Sequence, residues 1–157
     1  MRELILLRHA HAESPAPGQD DRARALSPTG LAEAKAAGDW LREHGLTPDR
    51  ALYSPAARTR QTLEALGDIG CTDLREEAAI YDASPGTLIA LADAHGDARR
   101  LLLVGHNPGL EQLAALLHSG QSSDYRGMPP AGVAVLGFAP DAAIEPGAAQ
   151  LSRFWWP

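Results

Sequence analysis

Residues 3–14 of the sequence read ELILLRHAHAES, an unbroken apolar run that ends directly in Arg8 and His9. A second stretch, RLLLVGHNPG at residues 100–109, has the same form and leads through a glycine into His106. Short continuous apolar runs of this kind are typical of strands that are buried on both faces of a parallel sheet. Each run therefore predicts a buried strand that carries polar side chains at its carboxyl end.

Four Ser-Pro or Asn-Pro pairs predict where helices begin. A Ser or Asn side chain can cap a helix, and proline suits the first helical position. The pairs begin at Ser27, Ser54, Ser84 and Asn107. An Ala- and Leu-rich stretch with helical periodicity follows each pair. These stretches are Leu31–His44, Ala57–Leu66, Thr87–His95 and Leu110–Leu117.

Strand-like segments alternate with the predicted helices. They are Leu4–Leu7, Ala51–Tyr53, a weaker segment at Glu77–Tyr81, and Leu101–Val104. Near the C-terminus, GVAVLGF (132–138) and AQLSRFWW (149–156) indicate two strands with no helix between them. The polar segments 14–25 and 119–132 are predicted loops. The pattern predicts a three-layer α/β/α fold in a single domain, residues 1–157. Its central sheet is mostly parallel, helices cover both faces, and the C-terminal edge is antiparallel.

The composition excludes several classes of function. The 157 residues carry a net charge of −6, whereas a nucleic-acid-binding protein shows a clustered basic face. No window approaches the length of a membrane span, and the N-terminal apolar run is too short for a signal peptide. The single Cys71 rules out a disulfide within the chain. We expect a cytoplasmic protein that binds neither nucleic acid nor membrane.

The carboxyl ends of parallel strands meet at one edge of the sheet, where ligands bind. Arg8, His9, Arg58 and His106 are all expected at that edge, near helix N-termini that favour anions. We therefore predict a pocket for a phosphoryl group or a similar oxyanion. The sequence has no P-loop, no Cys-x5-Arg motif and no G-x-S-x-G motif, so His9 is the candidate nucleophile. His106, cationic beside bound phosphate, would complement Arg8 and Arg58.

A metal site is the alternative for the same region, because His9 and His11 form an H-x-H pair. Such a site needs further histidine or carboxylate ligands at defined spacing, and none is evident. We therefore expect neither a metal nor another cofactor.

Three ordered motifs, LRHA (7–10), SPAARTRQT (54–62) and VGHNP (104–108), resemble the histidine phosphatase superfamily. Asp21, the segment RALS (24–27) and a nearby glycine are similar to an element of its SixA-type phosphohistidine phosphatases. The resemblance implies that His9 is phosphorylated during turnover and that Arg8 and Arg58 bind the phosphoryl group. It also implies that His106 completes the pocket.

The general acid stays open. Many members of the superfamily place a glutamate after the second helix, where it protonates the leaving group. Here that region reads LREEAAIYDASP (74–85), and Glu76, Glu77 and Asp82 are candidates without a regular motif. Arg24 and Glu77 are the possible secondary site residues.

The chain between Arg58 and His106 has room for the rest of one helix, one strand and another helix, but not for a lid. An open pocket suits a phosphoryl group on a protein surface, and a phosphohistidine P–N bond needs little acid assistance. We expect a metal-independent phosphohistidine phosphatase that acts on a phosphorelay or phosphotransferase protein. A phosphatase of small phosphomonoesters and a non-catalytic phosphate-binding module are the alternatives.

Overall fold

The central sheet has six strands. The computed structural model describes residues 1–125 and 127–157, so Arg126, within the predicted loop 119–132, lies outside the described residues. The strands are β1 (Glu3–Arg8), β2 (Arg50–Tyr53), β3 (Leu74–Glu76), β4 (Arg100–Gly105), β5 (Val133–Phe138) and β6 (Ala149–Trp155). Their order is β3-β2-β4-β1-β5-β6. The first four are parallel, β5 runs antiparallel to β1, and β6 runs antiparallel to β5. The mostly parallel sheet with an antiparallel C-terminal edge is thus confirmed.

The helices are α1 (Pro28–Glu43), α2 (Ala57–Ala65), α3 (Pro85–Ala94) and α4 (Gly109–Ser119). Two helix starts are capped as predicted: Ser27 Oγ accepts from Gly30 N at 3.0 Å, and Ser84 Oγ accepts from Thr87 N at 3.2 Å. Within the described part of the chain, no helix is both long enough and apolar enough to cross a membrane.

The other two predicted caps are wrong. The N-cap position of α2 is occupied by Ala56, and that of α4 by Pro108. Neither residue makes a side-chain capping hydrogen bond. Helix α2 begins two residues later than the Ser-Pro pattern indicates, and α4 begins one residue later than the Asn-Pro pattern indicates. The Ser54 side chain instead contacts His106, whereas Asn107 Oδ1 still accepts from Glu111 N in the first turn of α4 at 3.3 Å.

The weak strand predicted at Glu77–Tyr81 is also wrong. The strand is β3, whose three residues are exposed and which pairs only with β2. It carries no apolar run that could mark it in the sequence. The buried apolar residue of the predicted segment is Ile80, which is 2% exposed and lies in a short 3-10 turn, Ala78–Ile80.

Two apolar layers enclose the sheet because successive strand residues point to opposite faces. One layer packs the even-numbered leucines of β1 against α3 and α4, and the other packs its Ile5 and Leu7 against α1 and α2. Leu4–Leu7 are completely buried, and each such side chain contributes roughly 1.5–3 kcal/mol to stability. The continuous apolar run is the consequence of helices on both faces, which confirms the three-layer arrangement.

The strand register brings three chain segments to one edge. Arg8 at the end of β1 pairs with Gly105 at the end of β4, and Tyr53 at the end of β2 pairs with Val104. The residues that directly follow these strands therefore lie side by side.

Candidate active site

The four side chains predicted to form the site come together at this edge. The imidazole rings of His9 and His106 lie with their centroids 5.3 Å apart. Arg58 lies in the first turn of α2 and is 7% exposed. Arg8, the last residue of β1, directly precedes His9. Two guanidinium groups and two imidazoles in one cluster, buried at Arg58 and half-buried at the other three residues, can accommodate a dianionic phosphoryl group.

His9 is held as a neutral ring with one free nitrogen. Its Nδ1 lies 2.7 Å from the carbonyl oxygen of Ala10, which can only accept, so Nδ1 carries the proton and donates it. Burial is the main cause that lowers the pKa of His9 to about 4; the hydrogen bond to Ala10 opposes this shift, and the charges of Arg58 and Arg8 contribute to it. Nε2 therefore keeps an unprotonated lone pair at neutral pH, as nucleophilic attack requires.

His106 is held by Ser54. The His106 Nε2 atom lies 2.8 Å from Oγ of Ser54, which is completely buried. His106 Nδ1 is buried and has no partner among the described residues. Burial, the His9 ring and Arg58 lower the pKa of His106 to about 3. The ring is therefore neutral in the unliganded site, so the predicted cationic form requires a bound anion to raise its pKa.

Arg58 is held by Asp21. Arg58 Nη1 donates to the backbone oxygen of Asp21 at 2.9 Å, and Nη2 donates to Asp21 Oδ2 at 3.0 Å. Asp21 also accepts from the Tyr81 hydroxyl and, at 3.0 Å, from Arg24 Nη1. The hydrogen bond from Tyr81, followed by those from Arg24 and Arg58, lowers the pKa of Asp21. Asp21 is thus a fixed anion, and Arg24 belongs to the wall of the site.

Arg8 is held on the other side. Its Nη1 donates to the carbonyl oxygen of Met128 at 2.9 Å, and Asn107 Nδ2 donates to the same oxygen at 2.9 Å. Asn107 Nδ2 also lies 3.2 Å from Glu111 Oε2. Burial lowers the pKa of Arg8, and the charge of Glu111 opposes this effect. Arg8 Nε is buried and has no partner in the described part of the chain.

Glu77 does not join the site. Its carboxylate lies 3.8 Å from Nε2 of His95, and His95 Nδ1 lies 3.0 Å from Arg50 Nη1. Arg50 begins β2, at the opposite edge of the sheet. The general acid therefore remains unassigned. From the segment 74–85 it is Tyr81 that reaches the site, and no motif marked it because a lone tyrosine has no regular spacing to a partner.

His11 makes a structural contact with the start of α1. Its Nδ1 lies 2.7 Å from Oγ of Ser27, the residue that caps α1. Residues 1–125 and 127–157 contain no group of three or more His, Cys, Asp or Glu side chains that could hold a metal ion.

Comparison with known proteins identifies the family. The family model for the histidine phosphatase superfamily (branch 1) matches residues 4–90, more than half of the chain, and this span includes His9 and Arg58. The chain belongs to the histidine phosphatase superfamily. His106 lies beyond the matched span, so its place in the site rests on the geometry described above.

Relatives and solved structures match between three quarters and nearly all of the chain. A Mycobacterium tuberculosis protein of uncharacterised function is 38% identical over 160 residues, which is 96% of this chain and 99% of the relative. Phosphohistidine phosphatase SixA from Escherichia coli is 28% identical over 127 residues, 76% of each chain. The solved structure of a candidate phosphohistidine phosphatase SixA from Agrobacterium tumefaciens is 33% identical, with a TM-score of 0.84 over 99% of this chain and 98% of that one. These comparisons confirm the fold and support a phosphatase.

Proposed function

We propose that this protein removes the phosphoryl group from phosphohistidine on a protein substrate, through a phosphohistidine intermediate at His9. The observation that carries the proposal is the hydrogen bond from His9 Nδ1 to the Ala10 carbonyl. It fixes the tautomer in which Nε2 is the free nucleophile, beside the two guanidinium groups that would hold the phosphoryl oxygens.

The reaction has two transfers. His9 Nε2 attacks phosphorus in line, the P–N bond of the substrate breaks, and its electron pair returns to the substrate nitrogen. A substrate imidazole that is already protonated at its other nitrogen leaves as a neutral ring. Water then attacks the phosphoryl group on His9, which releases inorganic phosphate and restores the free ring.

Charge stabilisation would come from the fixed donors. Arg8 and Arg58 contact the phosphoryl oxygens in this proposal, and the dianion raises the pKa of His106 until its ring becomes a third cationic donor. We propose that these charges take the place of a metal ion.

Asp21, the carboxylate that binds Arg58, cannot supply the proton that an alcohol leaving group requires. Its carboxylate accepts hydrogen bonds from Arg58, Arg24 and Tyr81, so it stays ionised and cannot protonate a leaving group. An alkoxide leaving group needs a proton from the enzyme, whereas a protonated imidazole does not. Similarity to the SixA proteins points the same way.

The test compares substrates. Phosphate release from a phosphorylated histidine phosphotransfer domain and from a phosphorylated carrier protein is measured beside a panel of phosphoserine, phosphoglycerate, sugar phosphates and an aryl phosphate, with His9→Ala as the control. The proposal requires that a protein substrate has the highest kcat/KM. A higher kcat/KM for one of the small phosphomonoesters would instead establish a phosphomonoester phosphatase. Anion binding without any turnover would establish a phosphate-binding module. The partner protein and the cytoplasmic location stay predictions.

A further inference from the structure

Tyr81 contacts two parts of the site and has no role in the proposed chemistry. We propose that Tyr81 is a positioning residue that fixes the guanidinium of Arg58 through Asp21 and the ring of His106 by direct packing. This inference deepens the proposed function because it concerns the same site. Its test uses anion binding, which does not depend on the identity of the substrate.

Three features of the backbone place Tyr81 in the site. Ile80, the residue before it, is buried in the core and packs on Gly105, the residue before His106. A Cβ atom on Gly105 would lie 3.0 Å from Ile80 Cγ2, so the glycine permits the close approach. Asp82, directly after Tyr81, takes a left-handed conformation with φ of 55°, which Asp tolerates better than most residues. The chain thus turns sharply on both sides of Tyr81.

The hydroxyl of Tyr81 shares one oxygen of Asp21 with Arg58. Both Tyr81 and Arg58 Nη2 donate to Asp21 Oδ2, while Arg24 donates to Oδ1. A carboxylate held by donors on both oxygens has a fixed plane. Arg58 has five N–H donors, of which two bind Asp21, and the Tyr81 hydroxyl also interacts directly with the Arg58 side chain. The direction of the guanidinium is therefore set by the orientation of Asp21, and Tyr81 holds that orientation.

The ring of Tyr81 packs between two neighbours. It meets the His106 ring edge-on, with centroids 5.5 Å apart and an interplanar angle of 82°. The guanidinium carbon of Arg22 lies 4.4 Å from the centroid of the Tyr81 ring. Edge-to-face and cation–π contacts of this kind favour one orientation of a ring. Ser54 and Tyr81 together would then hold His106 from two directions.

The first test separates the hydroxyl from the ring. Tyr81→Phe keeps the ring and removes the donor to Asp21. Tungstate affinity is measured by calorimetry on the purified protein, and kcat and KM are measured on the best substrate. We expect the dissociation constant for tungstate to rise about three- to tenfold, the usual effect of one lost hydrogen bond. KM should rise with it, and the melting temperature should stay near that of the unaltered protein.

Tyr53→Phe is the matched control. Tyr53 is a half-buried tyrosine that packs against the α1–α2 layer, so removal of its hydroxyl should leave tungstate affinity unchanged. Equal tungstate affinity in Tyr81→Phe and the unaltered protein would overturn the inference, whatever the substrate proves to be.

The second test is a double-mutant cycle with Asp21→Asn. If Tyr81 acts on Arg58 through Asp21, Tyr81→Phe should weaken tungstate binding much less in the Asp21→Asn background than in the unaltered one. Fully multiplicative effects of the two substitutions would refute that route. Failure of the proposed function would appear separately, as turnover of a phosphomonoester in preference to phosphohistidine while the tungstate results hold.

Discussion

Replacement of Ser54 by Ala tests whether His106 must be oriented. Ser54 is completely buried, and its Oγ lies 2.8 Å from His106 Nε2. Helix α2 does not depend on this side chain as its cap, because Ala56 occupies that position. The substitution leaves His106 without a partner on either nitrogen, since Nδ1 already has none among the described residues. A buried polar group that loses its partner costs about 1–3 kcal/mol.

We therefore expect Ser54→Ala to lower the free energy of unfolding by about 1–3 kcal/mol and kcat/KM by about tenfold, the factor that corresponds to 1.4 kcal/mol. Unfolding in urea and steady-state kinetics measure the two effects. Ser152→Ala is the matched control, because Ser152 Oγ donates to the Val135 carbonyl at 3.1 Å on the antiparallel edge, outside the site. It should lower stability slightly and leave kcat/KM unchanged. A Ser54→Ala protein with reduced stability but unaltered kcat/KM would refute the view that Ser54 orients His106 for the reaction.

Three further predictions concern the nucleophile, the metal and pH. His9→Ala should abolish turnover but still bind tungstate through Arg8 and Arg58, and an active His9→Ala enzyme would rule out the covalent route. Arg58→Ala should weaken both binding and rate, because in the proposed mechanism Arg58 contacts the phosphoryl group in ground and transition states. Dialysis against a strong chelator should leave kcat unchanged, and a loss restored by Zn²⁺ or Mg²⁺ would favour the metal alternative. An NMR titration of His9 should show a midpoint near pH 4, the value set by burial, and not near 6.5. Since the unfolded chain binds this proton first, stability should fall as the pH drops from about 6.5 to 4.

The sequence was sufficient to predict the central strands and the common edge at which Arg8, His9, Arg58 and His106 lie, but not to locate β3. Strands β1 and β4 are covered by helices on both faces, so their apolar runs are continuous and easy to recognise. Parallel strands end at a common edge, which places His9 and His106 together without any knowledge of side-chain packing. These inferences depend on periodicity and chain direction, which are properties that a sequence displays.

Contacts between distant parts of the chain could not be deduced in this way. A Ser-Pro pair looks the same whether its hydroxyl caps a helix, as Ser27 does, or binds an imidazole 52 residues away, as Ser54 does. The Tyr81 hydroxyl reaches Asp21 across 60 residues, and Glu77, four positions before it, reaches His95 instead. Local secondary-structure propensity carries no information about partners so far apart in the sequence. Only the packing of the 3-10 turn against Gly105 decided which of these side chains enters the site.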